Sequence, residues 1–255
     1  MKKSQPRIRT VIKTTPLYPL NKFSSAFSSK LAEHICALLA TRSEFDLEGK
    51  EWEKIFADCV GAEWTPSNVG LDDVTHSPSS TAWGAKTVKG KVETTTEFAQ
   101  KKKKTPIRLI SGRNSINYSF GRAIDAKSSD PNEVGNMVLD IYNTRVREVR
   151  TKFKNLRTVV LIKGENLERL CVFEYETLML VGEDYTWKWN KQGNLEGTDR
   201  NSVHKFTWQP HGSQFTIIES IPLNALRLQI KKPQSITKEQ ILKEIGFDTN
   251  FLTRI

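Results

Sequence analysis

Cysteine and histidine are scarce in this chain, and where they fall excludes two classes of protein. Among 255 residues there are three cysteines, Cys36, Cys59 and Cys171, and four histidines, His34, His76, His204 and His211. An odd cysteine count without C-x-x-C spacing argues against a disulfide framework and against a structural zinc site. Each cysteine lies in an apolar setting (HICALLA, IFADCV, LCVFEY), as buried reduced thiols do. No apolar run approaches the roughly 20 residues that cross a bilayer, so no membrane span is expected. The opening MKKSQPRIRTVIKTTPLYPL is basic but lacks the apolar core of a secretory signal, and a cytoplasmic location is the expectation. G-x-S-x-G, a phosphate-binding glycine loop, H-E-x-x-H and the dinucleotide fingerprint are all missing, which removes the chemistries they carry. No internal repeat is present.

Acidic residues are in deficit too. Thirty-nine Lys and Arg against twenty-nine Asp and Glu give a net charge of +10, with a pI near 9.5. Such a balance suits a polyanionic partner, nucleic acid first and an anionic membrane surface second. Charge alone fits a merely basic soluble protein better. With 37% hydrophobic and 27% charged residues, the chain can bury a core as one large domain or two small ones.

Periodicity supplies the elements. Phe27, Leu31, Ile35, Leu38 and Leu39 predict a helix over Phe23–Ala40. Trp52, Ile55, Phe56, Cys59 and Val60 predict a second over Asp46–Val60, closed by Gly61. Leu71–Thr75 and Ala82–Val88 read as strands joined by the turn-rich HSPSS, and Ile107–Ile110 as another, followed by a polar SGRNSINYSFG loop. Asp130 and Pro131 open a long helix whose apolar positions run from Val134 to Phe153, with Arg145, Arg147 and Arg150 on its exposed side. Arg157–Lys163, a β-branched run, reads as a strand buried on both faces. From Leu170 the chain turns β-rich, with a hairpin tip at Gly193-Asn194 and a short closing helix over Thr237–Phe247.

Within the first hairpin, Asp72 and Asp73 are brought toward Lys86, Lys89 and Lys91. Carboxylates gather a hard divalent cation, and a neighbouring lysine can orient a metal-bound water. This arrangement resembles the PD-(D/E)XK nucleases, the superfamily of the type II restriction endonucleases, over residues 48–91. Asp72-Asp73 matches the first acid and Lys86 the lysine, whereas Gly84 stands where the pattern has its second acid. Some members draw that acid from the preceding helix, and Gly49–Glu53 (GKEWE) is similar to that helix, with Glu53 chosen over Glu48 and Glu51. The resemblance implies an α/β fold with a restriction-endonuclease-like core, a mixed central sheet flanked by helices, over residues 1–165. A β-rich extension over 166–255 would pack on it as one domain. It further implies Mg²⁺-dependent cleavage of double-stranded DNA at a short specific site. Asp73, Lys86 and Glu53 would be catalytic, and Asp73, Asp72 and Glu53 the metal ligands. A homodimer and a cognate DNA methyltransferase as genetic partner complete the expectation.

Base reading would lie elsewhere, because a metal site cuts whatever phosphodiester reaches it. Arg113, Asn114, Lys205, Gln209, His211 and Gln214 are side chains suited to groove edges. Lys101 and Lys102, within a four-lysine run, suit phosphates or a solvated loop. Trp187, Trp189 and Trp208 fit either nucleic-acid stacking or a packed sheet face. Two other readings stay open: a DNA-binding protein without catalysis, and a nicking or repair endonuclease.

Overall fold

A computed structural model describes residues 15–42, 46–65, 71–101, 106–125 and 128–253. The helices are α1 (Ser25–Thr41) and α2 (Gly49–Val60), followed by strands β1 (Glu63–Trp64), β2 (Val74–His76) and β3 (Thr81–Lys89). Next come α3 (Thr95–Gln100), β4 (Pro106–Arg113), α4 (Ile116–Phe120), α5 (Pro131–Lys152), β5 (Asn155–Lys163) and β6 (Arg169–Glu176). Strands β7 (Tyr185–Trp189), β8 (Leu195–Asp199), β9 (His204–Gln209), β10 (Gln214–Ser220) and β11 (Leu226–Gln229) precede α6 (Lys238–Glu244).

Two sheets result. The first has the order β1-β2-β3-β5-β6-β11 and the second β4-β10-β9-β8-β7. β3 and β5 are parallel while every other pairing is antiparallel. A parallel neighbour requires a crossover, and α5 lies within the stretch that supplies it. Asp130 caps α5 by accepting from the Glu133 N–H at 2.8 Å, with Pro131 at its first position. Both sheets draw strands from either side of residue 165: β6 and β11 complete the first, and β4 opens the second. The fold is thus α/β with a mixed central sheet flanked by helices and a β-rich C-terminal region.

Alternation along each strand sorts the core. Val74, Trp83, Ala85, Val159 and Leu161 face α1 and α2, whose Phe27, Leu31, Ile35, Trp52 and Phe56 fill that side. Ala82 and Leu156 join the α5 face and the second sheet, where Val134, Val138, Tyr142, Trp187, Phe206 and Trp208 pack. Val160 and Ile162 meet Leu109 of β4 and Phe98 of α3. Trp187 and Trp208 are therefore core residues, at 3% and 2% exposure, and the half-buried Trp189 packs against the same cluster. Gly135 is required where α5 crosses Trp187, since a Cβ there would stand 2.3 Å from the indole.

A buried polar knot ties the first sheet to the segment before α1. Glu174 accepts from Tyr18 Oη at 2.6 Å, Trp83 Nε1 at 2.8 Å and Arg157 Nη1 at 3.2 Å. The Arg157 and Glu174 side chains are 6% and 0% exposed. Cys59 and Cys171 are buried, Cys36 is half-buried, and all three are free.

Several boundaries differ from the sequence reading. β2 starts at Val74, so Leu71 and Asp73 precede the strand rather than belong to it. α2 starts at Gly49, the Glu48 N–H donating to the Glu51 carboxylate at 2.9 Å in a cap. The polar stretch after β4 is not a loop throughout, because Ser115 caps a short helix, α4. Arg145 is not on an exposed face: it folds over the end of β4, and burial lowers its guanidinium pKa.

Candidate functional site

Strand alternation positions the acid and the lysine. Asp73 directly precedes β2; Val74, Trp83 and Ala85 face α2, so alternation along β3 turns Lys86 to the other side of that strand, from which its ammonium reaches Asp73. The antiparallel register Val74↔Trp83 then brings the two strands' groups together. Asp73 is 3% exposed. Its Oδ2 accepts from the Ala85 N–H at 3.0 Å and from Lys86 Nζ at 3.3 Å. Burial pushes the Asp73 carboxyl above the usual carboxylate range, Lys86 and the Ala85 N–H pull it back, and the Glu53 charge adds a further push upward.

Glu53 thus lies near enough to Asp73 to act on its titration. It is half-buried on α2, and its Oε2 accepts from Trp64 Nε1 at 3.0 Å. Trp64 also lies under the Lys54 ammonium, 4.4 Å from the ring centroid. Sequence reasoning missed Trp64, since a two-residue strand leaves no periodic signal. Asp72 presents a buried carboxylate oxygen, Oδ1, that has no hydrogen-bond partner among the described residues. Its backbone carbonyl accepts from the Thr65 hydroxyl at 2.9 Å, and the Asp73 carbonyl accepts from the Thr65 N–H at 2.9 Å. Both acids are therefore fixed by the chain leading to β2.

Among the described residues, no three Asp, Glu, His or Cys side chains gather closely enough to hold a metal by themselves. Magnesium usually keeps several waters and takes only one or two carboxylates. Asp73 and Glu53, which act on one another electrostatically, offer carboxylate oxygens of the kind that ion takes.

The groups proposed to read bases are divided by the fold. Arg113, Gln214 and Gln209 are register partners across β4, β10 and β9, so they form one row on one face at one end of the second sheet. His211 is exposed in the turn beside them, and Lys205 lies at the far end of β9. Asn114 must be withdrawn from this set. It is 1% exposed, its amide donates to the Val138 carbonyl at 3.0 Å, and its Oδ1 accepts from Arg145 Nη1 at 2.9 Å. The Trp208 indole donates to its carbonyl as well, so Asn114 is a buried joint between β4, α5 and β9. Lys101 forms an ion pair with Glu93, and Lys102 lies outside the described residues.

No helix of the described residues is long and apolar enough to cross a membrane. No family model, curated protein or solved structure matches this chain.

Proposed function

We propose that this protein is a Mg²⁺-dependent endonuclease that cleaves double-stranded DNA at a short specific site, in the manner of a type II restriction enzyme. The observation that carries this reading is the Asp73–Lys86 contact at 3.3 Å, made across the β2–β3 pair. Support comes from the chain order around it, α2, β1, β2 and β3, then α3, β4 and α4 before α5 and β5, with β5 parallel to β3. The hairpin, the long helix and the buried strand follow one another as the PD-(D/E)XK resemblance implies.

Asp73 and Glu53 would hold the ion, with Asp72 as the further acid. When bound, magnesium supplies positive charge to the scissile phosphate and lowers the pKa of a coordinated water. Lys86 orients the attacking water and adds a second positive charge beside the phosphate. Trp64 fixes the Glu53 carboxylate in its rotamer, and the Ala85 N–H does the same for Asp73. The Arg113–Gln214–Gln209 row supplies forked and amide groups for base edges, separated in the sequence from the acids. The expected assembly is a homodimer, one site per DNA strand, in the cytoplasm, with a DNA methyltransferase of the same site specificity protecting the host.

Incubation with plasmid and Mg²⁺, followed by end-sequencing, tests the proposal. Discrete double-strand ends at one sequence are expected. Plasmid left intact with both Mg²⁺ and Mn²⁺ would refute catalysis. One observation favours a second reading, a sequence-specific binder without cleavage: Gly84 stands where the resemblance has an acid. Selective retention of one duplex without any cutting would establish that reading, and nicked circles alone would indicate a nicking enzyme.

A further inference from the structure

We propose that a cavity at the carboxyl ends of β3 and β5 binds the phosphate of a small ligand of mononucleotide size. This site stands apart from the acid–lysine pair: Lys89 lies three residues beyond Lys86 and, by alternation, on the opposite face of β3. The inference does not rest on the nuclease reading.

The cavity has a volume of about 720 Å³, within the range of small-ligand sites. It lies outside the carboxyl ends of two parallel strands, where α/β sheets commonly place ligands. Lys89 and Lys163, the last residues of β3 and β5, are register partners and stand side by side in its wall. Lys163 is 7% exposed. Its ammonium donates to Asp46 Oδ1 at 2.7 Å and to the Leu47 carbonyl, while Lys89 Nζ holds Asp46 Oδ2 at 2.8 Å. One carboxylate is thus seated between the two ammonium groups. Together they hold the Asp46 carboxyl well below the usual carboxylate range.

Lys91 and Arg169 also border the cavity and form no ion pair among the described residues. Glu165 and Glu168 line it as well, so four cations face three carboxylates in its wall, and Glu97 acts on Lys91 and Arg169 from outside it. The loop between β5 and β6 is held in a strained form. Asn166 and Leu167 both have positive φ, 54° and 60°, although neither is glycine. Leu167, 1% exposed, plugs the core beneath, and a Cβ on Gly164 would meet the Arg169 carbonyl at 2.6 Å. Left-handed non-glycine residues persist where the surroundings over-determine them, and they cluster at ligand clamps. A phosphate matches the remaining donors best, because Arg169 can grip two of its oxygens while lysines neutralise its charge.

Isothermal titration of the full chain with AMP, inorganic phosphate and adenosine tests this. Saturable AMP binding is expected at a Kd of about 1 mM or tighter, displaced by phosphate, with adenosine silent. The Lys91→Gln, Arg169→Gln double variant, changed only at exposed side chains, should weaken AMP by about tenfold or more while keeping the wild-type melting temperature. Four outcomes would overturn the proposal: no saturation by about 10 mM AMP, equal binding of adenosine, an unweakened double variant, or occupancy by a DNA duplex but not by AMP. Plasmid cleavage lost in the same double variant with AMP binding intact would likewise assign these cations to DNA rather than to the small ligand.

Discussion

Replacing Lys86 with methionine isolates the electrostatics of the candidate site. The substitution keeps the length of the aliphatic stem and removes the ammonium that stands 3.3 Å from Asp73 Oδ2. The Asp73 side chain is 4% exposed and that of Lys86 19%. Taking one partner from a fully buried pair costs about 3–5 kcal/mol. The partial exposure of Lys86 and the surviving Ala85 N–H bond lower the expectation to about 2–3 kcal/mol at neutral pH, or about 4–12 °C in Tm for a chain of this size. The sign of the pH dependence follows from the raised Asp73 carboxyl. A folded pKa above the unfolded value means that the fold prefers the protonated acid. Its contribution is therefore fully present below the ordinary carboxylate value of 3.8 and is lost as pH rises through the folded value. Removing Lys86 raises that value further and extends the loss to higher pH, with a slope of at most about 1.4 kcal/mol per pH unit for one proton. Urea denaturation between pH 5 and pH 8 should show a penalty that grows with pH. Asp73→Asn in the same background should remove that growth. A penalty independent of pH, or one unchanged by Asp73→Asn, would refute the coupling between these two groups.

Asp73→Asn and Glu53→Gln should each lower plasmid cleavage by about a hundredfold or more, the scale of general acid–base and metal-site losses, while duplex retention in Ca²⁺ stays near wild type; full cleavage by either variant removes that residue from the site. Glu174→Ala leaves Arg157 charged and buried, so a loss of about 3–5 kcal/mol is expected by chemical denaturation, and a loss under about 1 kcal/mol would mean that Arg157 escapes to water. Gln209→Ala or Arg113→Ala should reduce discrimination between cognate and scrambled duplexes by about 1–3 kcal/mol per lost base contact, whereas equal weakening on both duplexes would place base reading elsewhere. Gly135→Ala forces a methyl group into the Trp187 ring and should destabilise the fold by about 1–3 kcal/mol, measurable as a Tm drop with indole fluorescence altered.

The sequence by itself determined most of the elements, because one-sided burial imposes its period on the residues. The Trp52–Ile55–Phe56–Cys59 stripe made α2 legible, and the Val134–Val149 stripe made α5 legible, their caps Gly61, Asp130 and Pro131 included. The β-branched run of β5 announced a strand buried on both faces. Asp73 and Lys86 could be paired from a short hairpin, since the contact is local and alternation decides which side chains share a face. Sheet partnership was not legible, because it depends on pairings between residues far apart in the chain. Nothing local in RLISGR announces that β4 leaves the first sheet and pairs with β10 a hundred residues later. Only that pairing sets Arg113 beside Gln214 and Gln209, and only the packing of α5 buries Asn114, whose polar side chain had suggested a surface role. The tertiary structure likewise decided that Trp187 and Trp208 are core, that Trp64 steadies Glu53, and that Asp46 lies between Lys89 and Lys163. Each depends on a close approach between elements that strand alternation and helix period leave unspecified.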